Sequence, residues 1–281
     1  MLHRFFSLLI PIYLLELVGA SAVTALGWVV CRRLHIAWMP SAPLWFSGYL
    51  LVYNLDRLHL DPSDTINTPT RTGWSRRLRP YRMFLVGTSV ACILAWPIIT
   101  NRPWLVLALL AAAVGLQFYT RALPVVRFRL KDLPYIKSFI APTVIAMILV
   151  IWPAVEARRP LDPELISVFF WCFFLLAVNS LVFDYRDIRG DRLAGVRTLP
   201  VLLGEPGTVI LLRLFALVLF GFTVIVFAGR PDAIVMSASI ALASTLLLWS
   251  LKRVLTPIQM SFSADLLLFV PALIELWSHV P

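Results

Sequence analysis

Long apolar segments occupy most of this chain and leave little polar sequence between them. A helix needs about 20 mainly apolar residues to cross the hydrocarbon core of a bilayer. Backbone groups in that core must be hydrogen-bonded within the segment or a closed barrel, which excludes open sheets. The sequence therefore predicts an all-α bundle of nine transmembrane helices, in a single domain over residues 1–281. The predicted spans are 5–31, 36–55, 83–100, 103–119, 133–153, 163–183, 207–228, 231–250 and 263–280.

The composition excludes a soluble or a disordered protein. Hydrophobic residues make up 60% of the chain and charged residues 14%, whereas a soluble domain carries about 25% charged residues. A disordered chain is poor in apolar residues, so that class is excluded as well. The sequence contains no Walker loop, HExxH motif or Cys/His cluster, so nucleotide-binding, metalloprotease and zinc-site readings have no support.

The excess of basic residues, a net charge of +10, is interpreted as a topology signal rather than as nucleic-acid binding. Cytoplasmic loops of membrane proteins are enriched in lysine and arginine. One set of alternate loops carries sixteen of these residues and the other set carries six. We therefore expect an integral membrane protein, in a bacterial inner membrane, with a cytoplasmic N-terminus. The basic loops expected on the cytoplasmic side are 56–82, 120–132, 184–206 and 251–262.

Two acidic clusters follow apolar spans on the predicted cytoplasmic side. The first lies in the loop that begins at Asp56. The second contains Asp184, Asp187 and Asp191, and this spacing would place all three on one face of a helix. An alternative is that the alternating aspartates and arginines form a self-neutralising, solvated surface.

Clustered carboxylates repel one another unless a cation lies between them. Mg²⁺ prefers oxygen ligands and commonly binds through one or two carboxylates together with substrate phosphate. Paired acidic clusters at the mouth of a bundle therefore favour a magnesium-bound diphosphate. Basic side chains could bind the remaining phosphate oxygens. They are Arg121, Arg127, Arg129, Lys131, Arg186, Arg189, Arg192 and Arg197.

The second cluster resembles an aspartate-rich motif of the UbiA superfamily of intramembrane prenyltransferases. It has the form D-x-x-D-x-x-x-D from Asp184 to Asp191, followed by G-x-R-T-L-P-x-x-x-G from Gly195 to Gly204. The resemblance implies a Mg²⁺-dependent enzyme that transfers an isoprenoid chain from a prenyl diphosphate to a lipid-soluble acceptor in the bilayer, such as an aromatic or quinone precursor. It also implies that the aspartates of this motif hold the diphosphate through magnesium.

The first cluster matches the family less well. Asp64, Asn67, Pro69 and Arg71 fit the last aspartate of the first family motif and its tail. Leu60 stands where the family has its middle aspartate, and Asp56 stands at the asparagine position. The resulting alternative is a catalytically degenerate member that binds a polyprenyl phosphate or a partner protein without turnover.

Asp61 could supply the carboxylate that is missing at Leu60. It precedes Pro62, which disfavours helix at Asp61 and readily opens a new one. A helix break there could direct Asp61 into the site. The same residues also make an ordinary helix start, with Asp61 as N-cap and Asp64 in the first turn.

The resemblance extends to Tyr119 and to lysines near the fifth span, and polar residues inside two spans are further candidates. Glu16 either pairs internally or contacts an acceptor, and Asn179 either binds substrate or bonds a neighbouring helix.

The predicted catalytic residues are Asp64, Asp187 and Asp191. The predicted metal ligands are Asp56, Asp64, Asp184, Asp187 and Asp191. The predicted substrate-binding residues are Asn67, Arg71, Tyr119, Lys131, Lys137, Asn179 and Arg197.

Two other classes of membrane protein fit less well. A CDP-alcohol phosphotransferase also uses aspartates and magnesium, but its contiguous D-G-x2-A-R-x8-G-x3-D-x3-D string does not occur in this sequence. A secondary transporter would be expected to show an internal repeat with broken helix pairs, and the sequence shows neither.

Overall fold

The structure is a computed structural model. It describes residues 10–58, 62–102, 137–229 and 256–277, together with 236, 240, 243 and 244, and it gives the backbone alone at 62–64, 70 and 137. Within these ranges the regular structure is helical and no strand occurs. The predicted all-α fold is therefore confirmed. Two of the nine predicted spans, 103–119 and most of 231–250, lie outside the described residues.

Eight numbered helices build most of the described part of the bundle. Five segments are long and apolar enough to cross a membrane: Arg71–Ile99, Ser138–Glu156, Pro163–Leu193, Leu199–Val226 and Pro257–Trp277. The elements are α1 (Leu17–Arg33), α2 (Ala42–Leu58), α3 (Pro62–Asn67), α4 (Pro69–Ile99), α5 (Lys137–Ala146), α6 (Pro163–Leu193), α7 (Leu199–Val226) and α8 (Pro257–Trp277). Helix α5 continues through a π-helical turn, Met147–Ile151, into Trp152–Glu156.

Helix α6 lies at the centre of the bundle and packs against α5, α7 and α8. Its side chains Trp171, Leu175 and Leu181 are completely buried. The indole Nε1 of Trp171 donates to the hydroxyl of Thr223 on α7 at 3.2 Å. The polar edge of this large core residue is therefore paired, as burial requires.

Helix α6 is ten residues longer than the predicted span 163–183. Asp162 caps its start: the amide of Leu165 donates to Oδ1 of Asp162 at 2.7 Å, and this bond lowers the pKa of the carboxyl. At the other end the chain leaves the helix before Gly195, whose φ of 73° suits glycine. The second acidic motif therefore lies on the last turns of a core helix rather than in a loop.

The first predicted span, 5–31, is not one continuous helix in the described part. Residues 10–14 are helical, the chain turns at Leu15 and Glu16, and α1 begins at Leu17. Glu16 has a left-handed φ of 64°. Two distant side chains pair the carbonyls at this break, since Asn54 Nδ2 donates to Leu15 O at 3.1 Å and Arg82 Nη2 donates to Leu14 O at 3.2 Å.

Candidate functional site at the end of helix α6

The aspartates of the second motif lie on the last three turns of α6. Asp184 and Asp191 are buried, and the Asp187 side chain is 21% exposed. The helix places the three residues on one face, because positions i, i+3 and i+7 are neighbours along an α-helix. This motif is therefore a partly buried carboxylate surface at one end of the bundle.

Asp184 faces helix α5. Ser138, near the start of that helix, is fully buried, and its hydroxyl donates to Oδ2 of Asp184 at 2.5 Å. The bond crosses from one helix to another and fixes the orientation of this carboxylate.

Asp187 is paired with the residue before it. Arg186 donates from Nε to Oδ1 of Asp187 at 2.8 Å and from Nη2 to Oδ2 at 2.6 Å. The guanidinium lies 5.1 Å from the ring centroid of Phe183 and also donates to Ser261 on α8. A cation that binds Asp187 would therefore have to compete with, or share the carboxylate with, Arg186.

The two motifs meet where α3 contacts α6. The backbone amide of Gly190 donates to Oδ1 of Asn67 at 2.8 Å, and both residues are buried. A Cβ atom built on Gly190 would lie 2.3 Å from that same oxygen. Glycine is required here because the Asn67 side chain occupies the space of a side chain at position 190. The stretches that were predicted to share one site therefore lie side by side.

Among the acids of the first motif, the structure describes the side chain of Asp56. Asp64 lies on α3, three residues before Asn67, and its side chain is not among those described. Asp56 is 53% exposed and pairs with Arg57 at 3.5 Å. Two residues on a helix are separated by about 200°, so Asp56 lies opposite Asn54, which is completely buried. The structure does not bring Asp56 to the buried side of α2. Asp61 and Leu60 fall outside the described residues.

Arg71 belongs to a buried ionic cluster. Oε1 of Glu16 lies 3.8 Å from Nη2 of Arg71 and 3.7 Å from Nε of Arg57. The predicted internal pairing of Glu16 therefore occurs, through the helix break that brings this residue to the end of α2.

Arg71 and Arg186 also line one narrow crevice, together with Leu14, Thr68, Pro69, Pro257, Ile258 and Ser261. These two guanidinium groups already pair with Glu16 and Asp187, so an anionic group would have to share them with those carboxylates.

The other predicted substrate-binding residues are dispersed. Asn179 donates from Nδ2 to Oδ1 of Asp265 on α8 at 3.3 Å, on a face turned about 140° from Asp184. The neighbouring-helix bond anticipated for Asn179 is therefore present. Arg197 is exposed between α6 and α7. Lys137 opens α5, with its side chain not described, and Tyr119 and Lys131 lie outside the described residues.

Four buried polar residues near this end of the bundle were not singled out from the sequence: Asn54, Arg82, Ser138 and Asp265. The available signal was their position inside or beside apolar spans, where polar side chains are costly and need partners. That signal does not identify the partners, which in each case include a group far away in the sequence.

The carboxylate oxygens at the end of α6 are ligands of the type that magnesium prefers. Asp184 and Asp191 offer hard oxygen ligands, but seven residues separate their Cα atoms by about 10 Å along the helix. In the part of the chain that is described, no three Asp, Glu, His or Cys side chains are grouped closely enough to hold one ion. Magnesium commonly takes only one or two protein carboxylates and completes its shell with water and phosphate. The arrangement therefore fits ions shared with a diphosphate better than a closed protein cage.

Comparison with known proteins agrees with this fold. A solved structure described as the apo structure of a UbiA homolog from Aeropyrum pernix K1 is similar, with a TM-score of 0.64 and 15% sequence identity. The match covers 91% of this chain and 98% of that one. No curated protein matches the sequence. The sequence profile of the UbiA prenyltransferase family matches residues 61–259, a range that includes Asn67, Arg71 and all three aspartates of α6. The chain is an integral membrane protein and belongs to the UbiA prenyltransferase family.

Proposed function

We propose that the protein is a Mg²⁺-dependent prenyltransferase that moves an isoprenoid chain from a prenyl diphosphate to a lipid-soluble acceptor. The observation that carries this proposal is the hydrogen bond between Asn67 and Gly190. It joins the stretch that carries Asp64 to the helix that carries Asp184, Asp187 and Asp191. Carboxylates from both stretches can then approach one diphosphate.

The residues divide into anion-binding and metal-binding groups. Magnesium, when bound, would act as a Lewis acid that stabilises the charge on the departing diphosphate. Asp184, Asp187 and Asp191, with Asp64 from the first motif, would hold it. Asp56 would join them only after α2 turned toward the site. The phosphate oxygens would be bound by guanidinium and ammonium groups from Arg71, Lys131, Lys137, Arg186 and Arg197, with Tyr119 as a further contact.

The proposed reaction replaces the bond from the allylic carbon to oxygen with a bond from the same carbon to the acceptor. The bond between the allylic carbon and the diphosphate oxygen breaks, and its electron pair leaves with the diphosphate. The acceptor supplies the pair for the new bond and releases a proton. The apolar interior around α6 excludes water, which would otherwise compete with the acceptor for the allylic carbon.

We further propose that the N-terminus and both motifs face the cytoplasm, at a bacterial inner membrane, and that both substrates enter from the bilayer.

Asp191→Asn tests the proposal with little change in side-chain size. The substitution removes a buried negative charge from the end of α6, and magnesium loses a charged ligand. We expect Mg²⁺-dependent affinity for a prenyl diphosphate to fall at least about tenfold, by analogy with other lost metal contacts. Isothermal titration of the detergent-purified protein, with and without Mg²⁺, measures the change, and product formation with a panel of phenolic and quinone-type acceptors gives activity.

Asp162→Asn is the matched control. It makes the same chemical change on the same helix, at the opposite end, and asparagine still caps a helix. This variant should retain full affinity. The proposal is contradicted if the wild-type protein does not bind the diphosphate in a Mg²⁺-dependent way, or if Asp191→Asn and Asp162→Asn bind equally well.

A degenerate member of the family is the second candidate function. Leu60 offers no ligand in the first motif, and Asp187 is already engaged by Arg186. Such a protein would bind a polyprenyl phosphate without releasing product. Tight binding with no turnover across several prenyl chain lengths and acceptors would favour it over the enzyme.

A further inference from the structure

We propose that Ser138 is a positioning residue for Asp184, which it orients for the metal-bound diphosphate. The inference rests on the proposed function and extends it to a residue of a different helix. Ser138 touches neither substrate nor metal in this proposal. It acts through the carboxylate that it holds.

The hydrogen bond has the geometry of a specific contact. The Ser138 hydroxyl donates to Oδ2 of Asp184 at 2.5 Å, across 46 positions of sequence. Ser138 is completely buried and Asp184 is 8% exposed. Because the surrounding medium is poorly polar, such a bond is electrostatically stronger than it would be in water.

The Ser138 hydroxyl serves a neighbouring helix. Ser138 is the second residue of α5, so its own helix provides no carbonyl one turn earlier to which it could donate. The hydroxyl donates to a carboxylate on α6, so its single proton is committed to Asp184.

Helix α5 is held in the orientation that this bond needs. Phe139, the next residue, places its ring centroid 6.4 Å from that of Phe173 on α6 and 5.9 Å from that of Phe215 on α7. Rotation of α5 about its axis would break both aromatic contacts. Ser138 is therefore fixed by its neighbours, as a residue that orients a metal ligand must be.

A neutral donor affects its carboxylate differently from a charged one. Arg186 both orients Asp187 and offsets its charge. The Ser138 hydroxyl orients Asp184 without adding a positive charge. The bond holds Asp184 in one rotamer and does not itself neutralise the carboxylate. This preorganisation lowers the entropy that the side chain loses when the ion binds.

The test is the Mg²⁺ dependence of pyrophosphate binding, measured by titration of detergent-purified protein with inorganic pyrophosphate at several Mg²⁺ concentrations. Ser138→Ala should raise the half-saturating Mg²⁺ concentration about tenfold, the lower end of the effect of removing outer-shell partners. Ser138→Thr keeps a hydroxyl and should restore the wild-type value to within about twofold.

Ser41→Ala is the matched control, because Ser41 is also a buried serine that donates to a carboxylate, Glu156, at 3.1 Å. It should leave the Mg²⁺ dependence unchanged. If Ser138→Thr unfolds because its extra methyl does not fit, a double-mutant cycle that combines Ser138→Ala with Asp184→Asn tests the positioning role instead. An effect that acts through Asp184 disappears once that carboxylate is gone.

The outcomes separate the inference from the proposed function. Normal Mg²⁺ dependence in Ser138→Ala, or an undiminished effect in the Asp184→Asn background, overturns the positioning role and leaves the proposed function standing. A wild-type protein that does not bind pyrophosphate with Mg²⁺ overturns both.

Discussion

Replacing Gly190 with alanine should separate the two acidic stretches and weaken Mg²⁺-dependent pyrophosphate binding by at least about tenfold, equivalent to about 1.4 kcal/mol. The added Cβ would lie 2.3 Å from Oδ1 and 2.5 Å from Cγ of Asn67, which is too close for any side chain. Either Asn67 moves and its bond to the Gly190 amide is lost, or α3 shifts away from α6. Overpacking of this kind costs about 1–3 kcal/mol of folding stability. Titration calorimetry and thermal unfolding in the same detergent measure the two effects.

Gly73→Ala is the control for this substitution. Gly73 lies two residues beyond Arg71 on α4, and no described atom lies within 4 Å of the position that an added Cβ would take. This variant should bind normally and be slightly more stable, because alanine is favoured over glycine in a helix. In Gly190→Ala combined with Asn67→Ala the clash is relieved, so stability should largely return. Normal binding in Gly190→Ala alone would show that the Asn67 contact does not hold the site together.

The parts of the fold that the sequence predicted well depend on local patterns. The start of α6 at Pro163 follows from an aspartate N-cap and a proline in the first turn. The alignment of Asp184, Asp187 and Asp191 on one face follows from their spacing within a single helix. Neither feature depends on what packs against it, and both are found in the structure.

The break in the first span could not be predicted in the same way. Leu15 and Glu16 are neither glycine nor proline, so neither residue type predicts a turn at this point. The turn is supported by Asn54 and Arg82, which are 39 and 68 residues away along the chain from their acceptors. Tertiary contacts therefore override a continuous apolar pattern, and they bring Glu16 to Arg71.

The candidate site also combines features that follow from local sequence with features that depend on how the helices pack. The first motif's tail led to Asn67, but its partner Gly190 depends on how α3 packs on α6. The pairing of Arg186 with Asp187, and of Ser138 with Asp184, depends on rotamers and on the register between helices. Sequence spacing identified the carboxylates, whereas the groups that orient them became visible only in three dimensions.

Arg82→Ala should be the most destabilising of the substitutions considered, by about 2–5 kcal/mol. Arg82 is 1% exposed. It donates from Nη1 to Arg57 O at 3.3 Å and from Nη2 to Leu14 O at 3.2 Å. Truncation leaves a cavity and removes the side-chain donor from the buried carbonyl of Leu14 and the partly buried carbonyl of Arg57. A buried polar group left unpaired costs about 1–3 kcal/mol.

The loss should extend to function, because Arg82 supports the turn that carries Glu16. Without it, Glu16 can move away from Arg71, and pyrophosphate affinity should fall together with the unfolding temperature. Arg79→Ala removes an exposed arginine from the preceding turn of α4 and should change neither property. Arg82→Lys should lie between the two, since a single ammonium cannot reproduce the fork that reaches both carbonyls. An unfolding temperature of Arg82→Ala equal to that of Arg79→Ala would mean that the break at Glu16 is maintained without this arginine.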